Sequence, residues 1–278
     1  MKEYDKYLKL LKEKYPTKQS VYRELINLNA IMNLPKGTEH FMSDLHGEYD
    51  AFYHIINNCS GVIREKVAML YGDELTVYEQ QELCTLIYYP REKLSILMDE
   101  NKVNDEWYRN VLNQLIQIAK LLSSKYTRSK VRKAMPVDFA YIIDELIHAQ
   151  KDEDDNRSVY HRQIMETILS LHNGDEFLVA LTDLIKRLAV DHLHILGDIY
   201  DRGSHADKIL DLLMEHHSVD IQWGNHDILW MGAFCGNPVC MALVVRNNIK
   251  YKTMSILENG YGISLRFLLQ FAVNTYSD

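Results

Sequence analysis

The chain has 278 residues, of which 47% are hydrophobic and 25% are charged, and these values are ordinary for a globular protein with a sizeable core. The net charge of −8 gives no support for binding to nucleic acid or to an anionic membrane. The N-terminal residues lack the apolar core of a signal peptide, and no apolar run is long enough to span a bilayer. We therefore expect a cytoplasmic protein with neither a nucleic acid nor a membrane as its partner.

Two amphipathic segments precede the first strand signal. Apolar residues repeat at helical spacing over residues 4–15 and again over residues 20–33. The period then changes at residues 39–43 to a short extended run, which ends in a polar loop. The sequence predicts N-terminal helices over residues 1–36, followed by a strand.

Residues 61–189 carry an almost wholly helical pattern. Asn104 is placed to cap one long helix, and Ser158 is placed to cap another. Asn173 and Gly174 form a pair that commonly ends a helix. We predict an all-helical insertion over this range.

The strand pattern returns at residues 191–196, and another strand begins near residue 219 after an intervening helix. Strand, helix and strand in fewer than forty residues form a βαβ unit, whose two strands run parallel. We assign residues 37–60 and 190–278 to one α/β core, which the helical insertion interrupts.

Polar residues follow each of the three predicted strands. In a parallel sheet the three following loops emerge at the same carboxyl edge, where open α/β sheets hold their ligands. We interpret histidines outside these loops, such as His192 and His216, as ordinary strand or helix residues. The three loops carry Asp44 and His46, then Asp198, Asp201 and Arg202, and then Asn225, His226 and Asp227.

Carboxylate, imidazole and amide oxygen donors favour a hard or borderline divalent metal. We expect one metal to take Asp44, His46 and Asp198. A second metal would share Asp198 and add Asn225, since a bridging carboxylate is typical of two-metal phosphate-ester hydrolysis.

The remaining loop residues suit a phosphate ester. Arg202 offers a planar fork of donors that matches a phosphate group in two hydrogen bonds. His226, held by Asp227 or Asp201, is placed to protonate the leaving alkoxide while a metal-activated hydroxide attacks phosphorus. We therefore predict catalytic roles for these four residues.

The three loops in this order resemble the calcineurin-like binuclear metallophosphatases. The pattern Gly-Asp-x-x-Asp-Arg-Gly at 197–203 is similar to the serine/threonine protein phosphatase branch, in which the first two loops lie close together in sequence. Here 154 residues separate Asp44 from Asp198. That spacing, together with "FMSDLHGEYDAFYHIINN" and "LGDIYDRGSHADKI", resembles the bacterial class III fructose-1,6-bisphosphatases.

The resemblance implies a calcineurin-like metallophosphatase β-sandwich flanked by helices, with the large all-helical insertion between the first and second core strands. It also implies hydrolysis of the 1-phosphate of fructose 1,6-bisphosphate, a small-molecule sugar bisphosphate, to fructose 6-phosphate and phosphate in gluconeogenesis. The implied cofactor is Mn2+ in a binuclear site. An insertion of this length often builds a subunit interface, so a homo-oligomer stays open.

The family pattern expects two further histidines that complete the second metal site, and no histidine follows His226. The chain therefore looks like an N-terminal fragment with an incomplete core, and we expect it to be poorly active alone. Two other functions stay open: a protein phosphatase or dinucleotide polyphosphate hydrolase on the same scaffold, and a non-enzymatic helical scaffold with vestigial phosphatase loops.

Overall fold

A three-stranded parallel sheet lies at the centre of the part of the chain that carries the predicted loops. The computed structural model describes residues 2–149 and 155–276. Strand β1 (Glu39–Met42) pairs with β2 (His192–Ile195), which pairs in turn with β3 (Val219–Ile221). Both pairs are parallel, so the predicted α/β class and strand direction are confirmed.

Helices make up most of the described chain. No helix within residues 2–149 and 155–276 is both long enough and apolar enough to cross a bilayer. The helices are α1 (Lys2–Lys14), α2 (Lys18–Met32), α3 (Tyr49–Asn58), α4 (Val62–Tyr71), α5 (Val77–Tyr88), α6 (Pro90–Asp99), α7 (Asp105–Ser123), α8 (Arg128–Ala134), α9 (Ala140–Ile147), α10 (Asp155–Ser170), α11 (Gly174–Ala189), α12 (Ala206–Glu215), α13 (Asn225–Phe234), α14 (Pro238–Tyr251) and α15 (Arg266–Tyr276).

One face of the sheet packs against α3 and α12. Leu193 and Ile195 alternate along β2 with His192 and His194, because successive side chains of a strand point to opposite faces. Leu193 and Ile195 are fully buried among apolar side chains of the two helices. The two histidines lie on the opposite face and stay partly exposed.

The helical segment between α3 and β2 has a hydrophobic core of its own. Leu115 of α7 and Leu181 of α11 are fully buried in it, and these two helices form its centre. Helix α7 begins after Asn104, whose side-chain oxygen accepts the N–H of Trp107 at 2.8 Å, so the predicted cap is confirmed. Residues 61–189 therefore fold mainly among themselves.

Two predicted helix boundaries are wrong. Helix α10 begins at Asp155, so Ser158 lies inside it instead of capping it. Gly174 begins α11 instead of ending α10, and His172 is the residue with left-handed backbone there, at φ 53°. Gly174 serves close packing, because a Cβ atom at this position would lie 3.0 Å from the ring of Tyr108.

Three histidines lie where the sheet meets the helical segment. His40 of β1, together with His216 and His217 after α12, lines a cavity of about 270 Å3 between these two parts. Burial lowers the pKa of all three imidazoles, and burial together with the neighbouring His217 lowers that of His216 to about 4. The folded chain therefore disfavours the charged form of all three imidazoles, most clearly that of His216.

We expect acid to destabilise this junction. Between the ordinary pKa of 6.5 and the folded value of about 4, the unfolded chain binds a proton at His216 that the folded chain does not. The free energy of unfolding should therefore fall as the pH decreases through this window. Urea denaturation at neutral pH and at about pH 5 should show that the free energy of unfolding falls less in His216→Asn than in the wild type. His172→Asn, which changes an exposed histidine, is the matched control, and an unchanged loss in His216→Asn would contradict the assignment.

Candidate metal and phosphate site

The loops after β1 and β2 are joined by backbone hydrogen bonds that continue the pairing of the two strands. The N–H of Asp44 donates to the carbonyl of Gly197 at 3.1 Å, and the N–H of His46 donates to the carbonyl of Asp198 at 2.8 Å. The loops that follow two paired parallel strands begin side by side at the carboxyl edge of the sheet. Two loops 154 residues apart in sequence therefore meet.

Asp44, His46 and Asp198 form a group that fits a divalent metal. One ligand atom from each side chain lies within 4.8 Å of the others. His46 Nδ1 lies 3.2 Å from the carbonyl oxygen of Tyr200, and a carbonyl only accepts, so Nδ1 carries the proton. The unprotonated Nε2 then faces the carboxylate of Asp44 at 3.5 Å, which leaves its lone pair available for a metal.

Strained backbone is concentrated at these loops. Among the described residues, ten residues other than glycine have a positive φ, and half of them were predicted as site residues. Such conformations cost of order 1–3 kcal/mol each and persist where the surrounding structure enforces them. The five are Asp44, His46, Asp198, Asp201 and Arg202.

The loops after β2 and β3 approach so closely that two glycines are required. Gly197 has φ +93°, and a Cβ atom on it would lie 2.4 Å from the backbone nitrogen of Gly224. A Cβ atom on Gly224 would in turn lie 2.1 Å from a carboxylate oxygen of Asp198. Any side chain at either position would push the third loop away from the proposed metal ligand.

Asp227 ties the second and third loops together. Its carboxylate accepts the backbone N–H groups of Asp198 at 2.7 Å, Gly224 at 2.8 Å, Ile199 at 2.9 Å and Tyr200 at 3.1 Å. The side chain is buried. All of this carboxylate's described hydrogen bonds therefore position backbone, and Asp227 is a positioning residue in this structure.

Asp201, the other carboxylate expected to hold His226, lies directly against it. Asp201 Oδ2 is 2.8 Å from His226 Nδ1, although the approach direction does not meet the geometry of a hydrogen bond. Asn247 of α14 donates from Nδ2 to the same oxygen at 3.2 Å. The imidazole of His226 reaches the metal group, since its ring centre is 5.8 Å from that of His46.

Arg202 and Asn225 are exposed at the rim of the site. Within the described residues, neither side chain has a hydrogen bond or ion pair to another residue, and Asn225 stands at the first position of α13. Its neighbour His226 donates its backbone N–H to Asp198 Oδ1 at 3.2 Å. The guanidinium of Arg202 is therefore available to an anion, and Asn225 lies beside the carboxylate expected to bridge two metals.

Two features of the site escaped sequence reasoning. Asn247 sits in α14, outside the three loops, and its polar neighbours Arg246 and Asn248 give no sign in the sequence that it is the one that contacts Asp201. The second feature is the carbonyl of Tyr200, which fixes the His46 tautomer and is invisible in sequence. The Tyr200 ring stacks on that of Trp230 with ring centres 4.5 Å apart, and it lines an apolar cavity of about 580 Å3.

Comparison with known proteins gives one family. A family model described as Firmicute fructose-1,6-bisphosphatase matches residues 6–278. The chain is 53% identical over 288 residues to fructose-1,6-bisphosphatase class 3 1 of Clostridium beijerinckii, covering 100% of the chain and 43% of the relative. Class 3 enzymes of Listeria monocytogenes serotype 4b and Bacteroides fragilis are 54% and 51% identical over 273 residues. Each alignment covers 98% of the chain, with 42% and 41% of the relatives' length.

The chain thus spans less than half the length of the curated relatives it matches. No solved structure matches the chain significantly.

We expect Asp227→Asn to loosen the site without touching a proposed ligand. The amide would place an NH2 group against two of the four backbone donors, so the free energy of unfolding should fall by about 1.5–3 kcal/mol. Manganese affinity, measured by calorimetry, should fall as well because the loop that holds Asp198 is released. Asp99→Asn, an exposed change at the end of α6, should alter neither quantity, and an Asp227→Asn chain with both values unchanged would refute this role.

Proposed function

Because the chain belongs to the Firmicute fructose-1,6-bisphosphatase family, we propose that it carries a metal-dependent sugar bisphosphatase site. The proposed reaction converts fructose 1,6-bisphosphate to fructose 6-phosphate and phosphate, a step of gluconeogenesis in the cytoplasm. The observation that carries the proposal is the convergence of Asp44, His46 and Asp198 within 4.8 Å. The family relationship supplies the sugar specificity, which the metal group alone does not.

We assign the first metal to Asp44, His46 and Asp198, and we propose Mn2+ as the ion. Their oxygen and imidazole donors suit manganese. When bound, the metal supplies Lewis acidity and lowers the pKa of water. Asp198 and Asn225 begin a second metal site, and the family pattern expects two more histidines for it.

The remaining residues act on the substrate. The free, exposed guanidinium of Arg202 binds the phosphate group that is transferred, because its fork matches two phosphate oxygens. His226 donates a proton to the sugar oxygen as it leaves phosphorus, and Asp201 steadies the imidazolium form. Asn247 orients Asp201 by donating a hydrogen bond to its carboxylate, and Asp227 keeps the loop of Asp198 in place.

The sheet fits one layer of a calcineurin-like β-sandwich. Helices α3 and α12 cover one face, whereas the opposite face carries Phe41, which is 62% exposed. A second layer packed on that face would bury such a side chain. We propose this arrangement for the complete protein. Whether the protein forms a homo-oligomer is a separate question for a measurement of its mass in solution.

The experiment is manganese-supported phosphate release by a chimera. In it, this chain replaces the matching segment of the Clostridium beijerinckii relative, since the two align over the whole chain. We expect turnover of fructose 1,6-bisphosphate in preference to a phosphopeptide or a dinucleotide polyphosphate. His226→Asn should lower kcat by roughly 10²–10⁴-fold, which is the usual contribution of general acid catalysis.

His172→Asn, a change at an exposed histidine in a turn of the helical segment, is the matched control for that substitution. Preference for the phosphopeptide or the dinucleotide would replace the sugar assignment with the corresponding hydrolase. A folded chimera that binds manganese and releases no phosphate from any of the three would favour the non-enzymatic scaffold.

A further inference from the structure

A second cluster of metal-ligand side chains lies on the sheet face opposite α3 and α12. His192 and His194 are two residues apart on β2 and therefore project from the same face. The strand register places Asp220 of β3 directly opposite His194, and Glu39 of β1 directly opposite His192. Two imidazoles and two carboxylates thus share one patch, and none of these residues belongs to the three loops.

Asp220 brings the two imidazoles together. Its Oδ1 lies 2.9 Å from His194 Nδ1, and its Oδ2 lies 3.2 Å from His192 Nε2. One ligand atom from each of the three side chains lies within 4.8 Å of the others. Donor atoms around a four-coordinate zinc ion lie roughly 3.3 Å apart, because zinc–nitrogen bonds are about 2.0–2.1 Å long. Only small rotations would therefore admit an ion.

Neighbouring groups hold both rings in place. His192 Nδ1 is 2.6 Å from the hydroxyl oxygen of Ser218, which is the kind of partner that orients a ligating imidazole. The ring of Phe41 stacks on His194 with centres 4.4 Å apart and planes 13° apart. Ring orientation is therefore set before any ion arrives.

His194 has an unsatisfied nitrogen that an ion would explain. With Nδ1–H donating to Asp220, Nε2 is a buried acceptor without a partner, and it faces Glu39 Oε2 at 3.9 Å. A metal on Nδ1 moves the proton to Nε2, where it points toward that carboxylate. A neutral His194 held by hydrogen bonds alone leaves two acceptors facing each other, which is unfavourable.

We propose that His192, His194 and Asp220 bind a zinc-class divalent ion, with Glu39 beside it. Two imidazoles and one carboxylate favour Zn2+ over Mn2+, whereas the Asp44, His46 and Asp198 group has the opposite ratio of nitrogen to oxygen donors. The bound ion ties β2 to β3, the two strands from which the second and third loops emerge. This site is independent of the proposed phosphatase activity, and in the complete protein it would lie beneath the second sheet layer proposed above.

Zinc binding to the 278-residue chain tests the proposal, with Asp198→Ala as the background that removes the first metal group. Equilibrium dialysis should find one zinc per chain in that background. X-ray absorption should show two imidazole ligands on the ion, and zinc should raise the Tm. Adding His194→Asn, or separately Asp220→Asn, should weaken zinc binding by about 100-fold or more and abolish the Tm increase.

Two matched changes control for general effects. His172→Asn and Asp99→Asn alter exposed residues outside both metal groups and should leave zinc binding unchanged. Asp220 is itself well exposed, so Asp220→Asn keeps the test decisive even if a histidine variant fails to fold. The proposal is overturned if the Asp198→Ala chain binds no zinc, or if Asp220→Asn binds it with undiminished affinity.

Discussion

The candidate site depends on one buried carboxylate. Asp227 accepts four backbone N–H groups from two loops, and a carboxylate supplies enough lone pairs for all four. Hydrogen bonds to a charged acceptor are the stronger kind, and burial raises the cost of breaking them. These bonds fix the position of Asp198. They also hold the loop after β2 against the loop after β3.

Strain and close approach follow from that convergence. Five site residues adopt left-handed backbone, and Gly197 and Gly224 touch where any side chain would separate the loops. Such conformations survive because the strands before them are packed on α3 and α12 and paired in register. The sheet therefore acts as a rigid base, and the cost of strain is met by burial of Leu193 and Ile195 beneath the site.

The fold was largely predictable because its main signals are local. Extended runs and turn residues predicted the three strands, and helical periodicity predicted the helices that the structure shows within residues 61–189. The parallel direction followed from the βαβ unit. The error at Gly174 has a tertiary cause. Gly174 is required by the ring of Tyr108, which is 66 residues away in sequence, so a rule about helix ends could not identify its role.

The sequence alone determined which residues gather at the sheet edge, because loops after parallel strands must emerge together. The sequence left two carboxylates, Asp201 and Asp227, as partners for His226. Only the tertiary structure shows that Asp201 lies against the imidazole, whereas Asp227 accepts hydrogen bonds from the backbone. The support from Asn247 and the pairing of His192 and His194 with Asp220 also became visible only in three dimensions. These contacts join separate elements through strand register and helix packing. Contacts between residues so far apart in sequence produce no periodicity or motif that a single sequence could reveal.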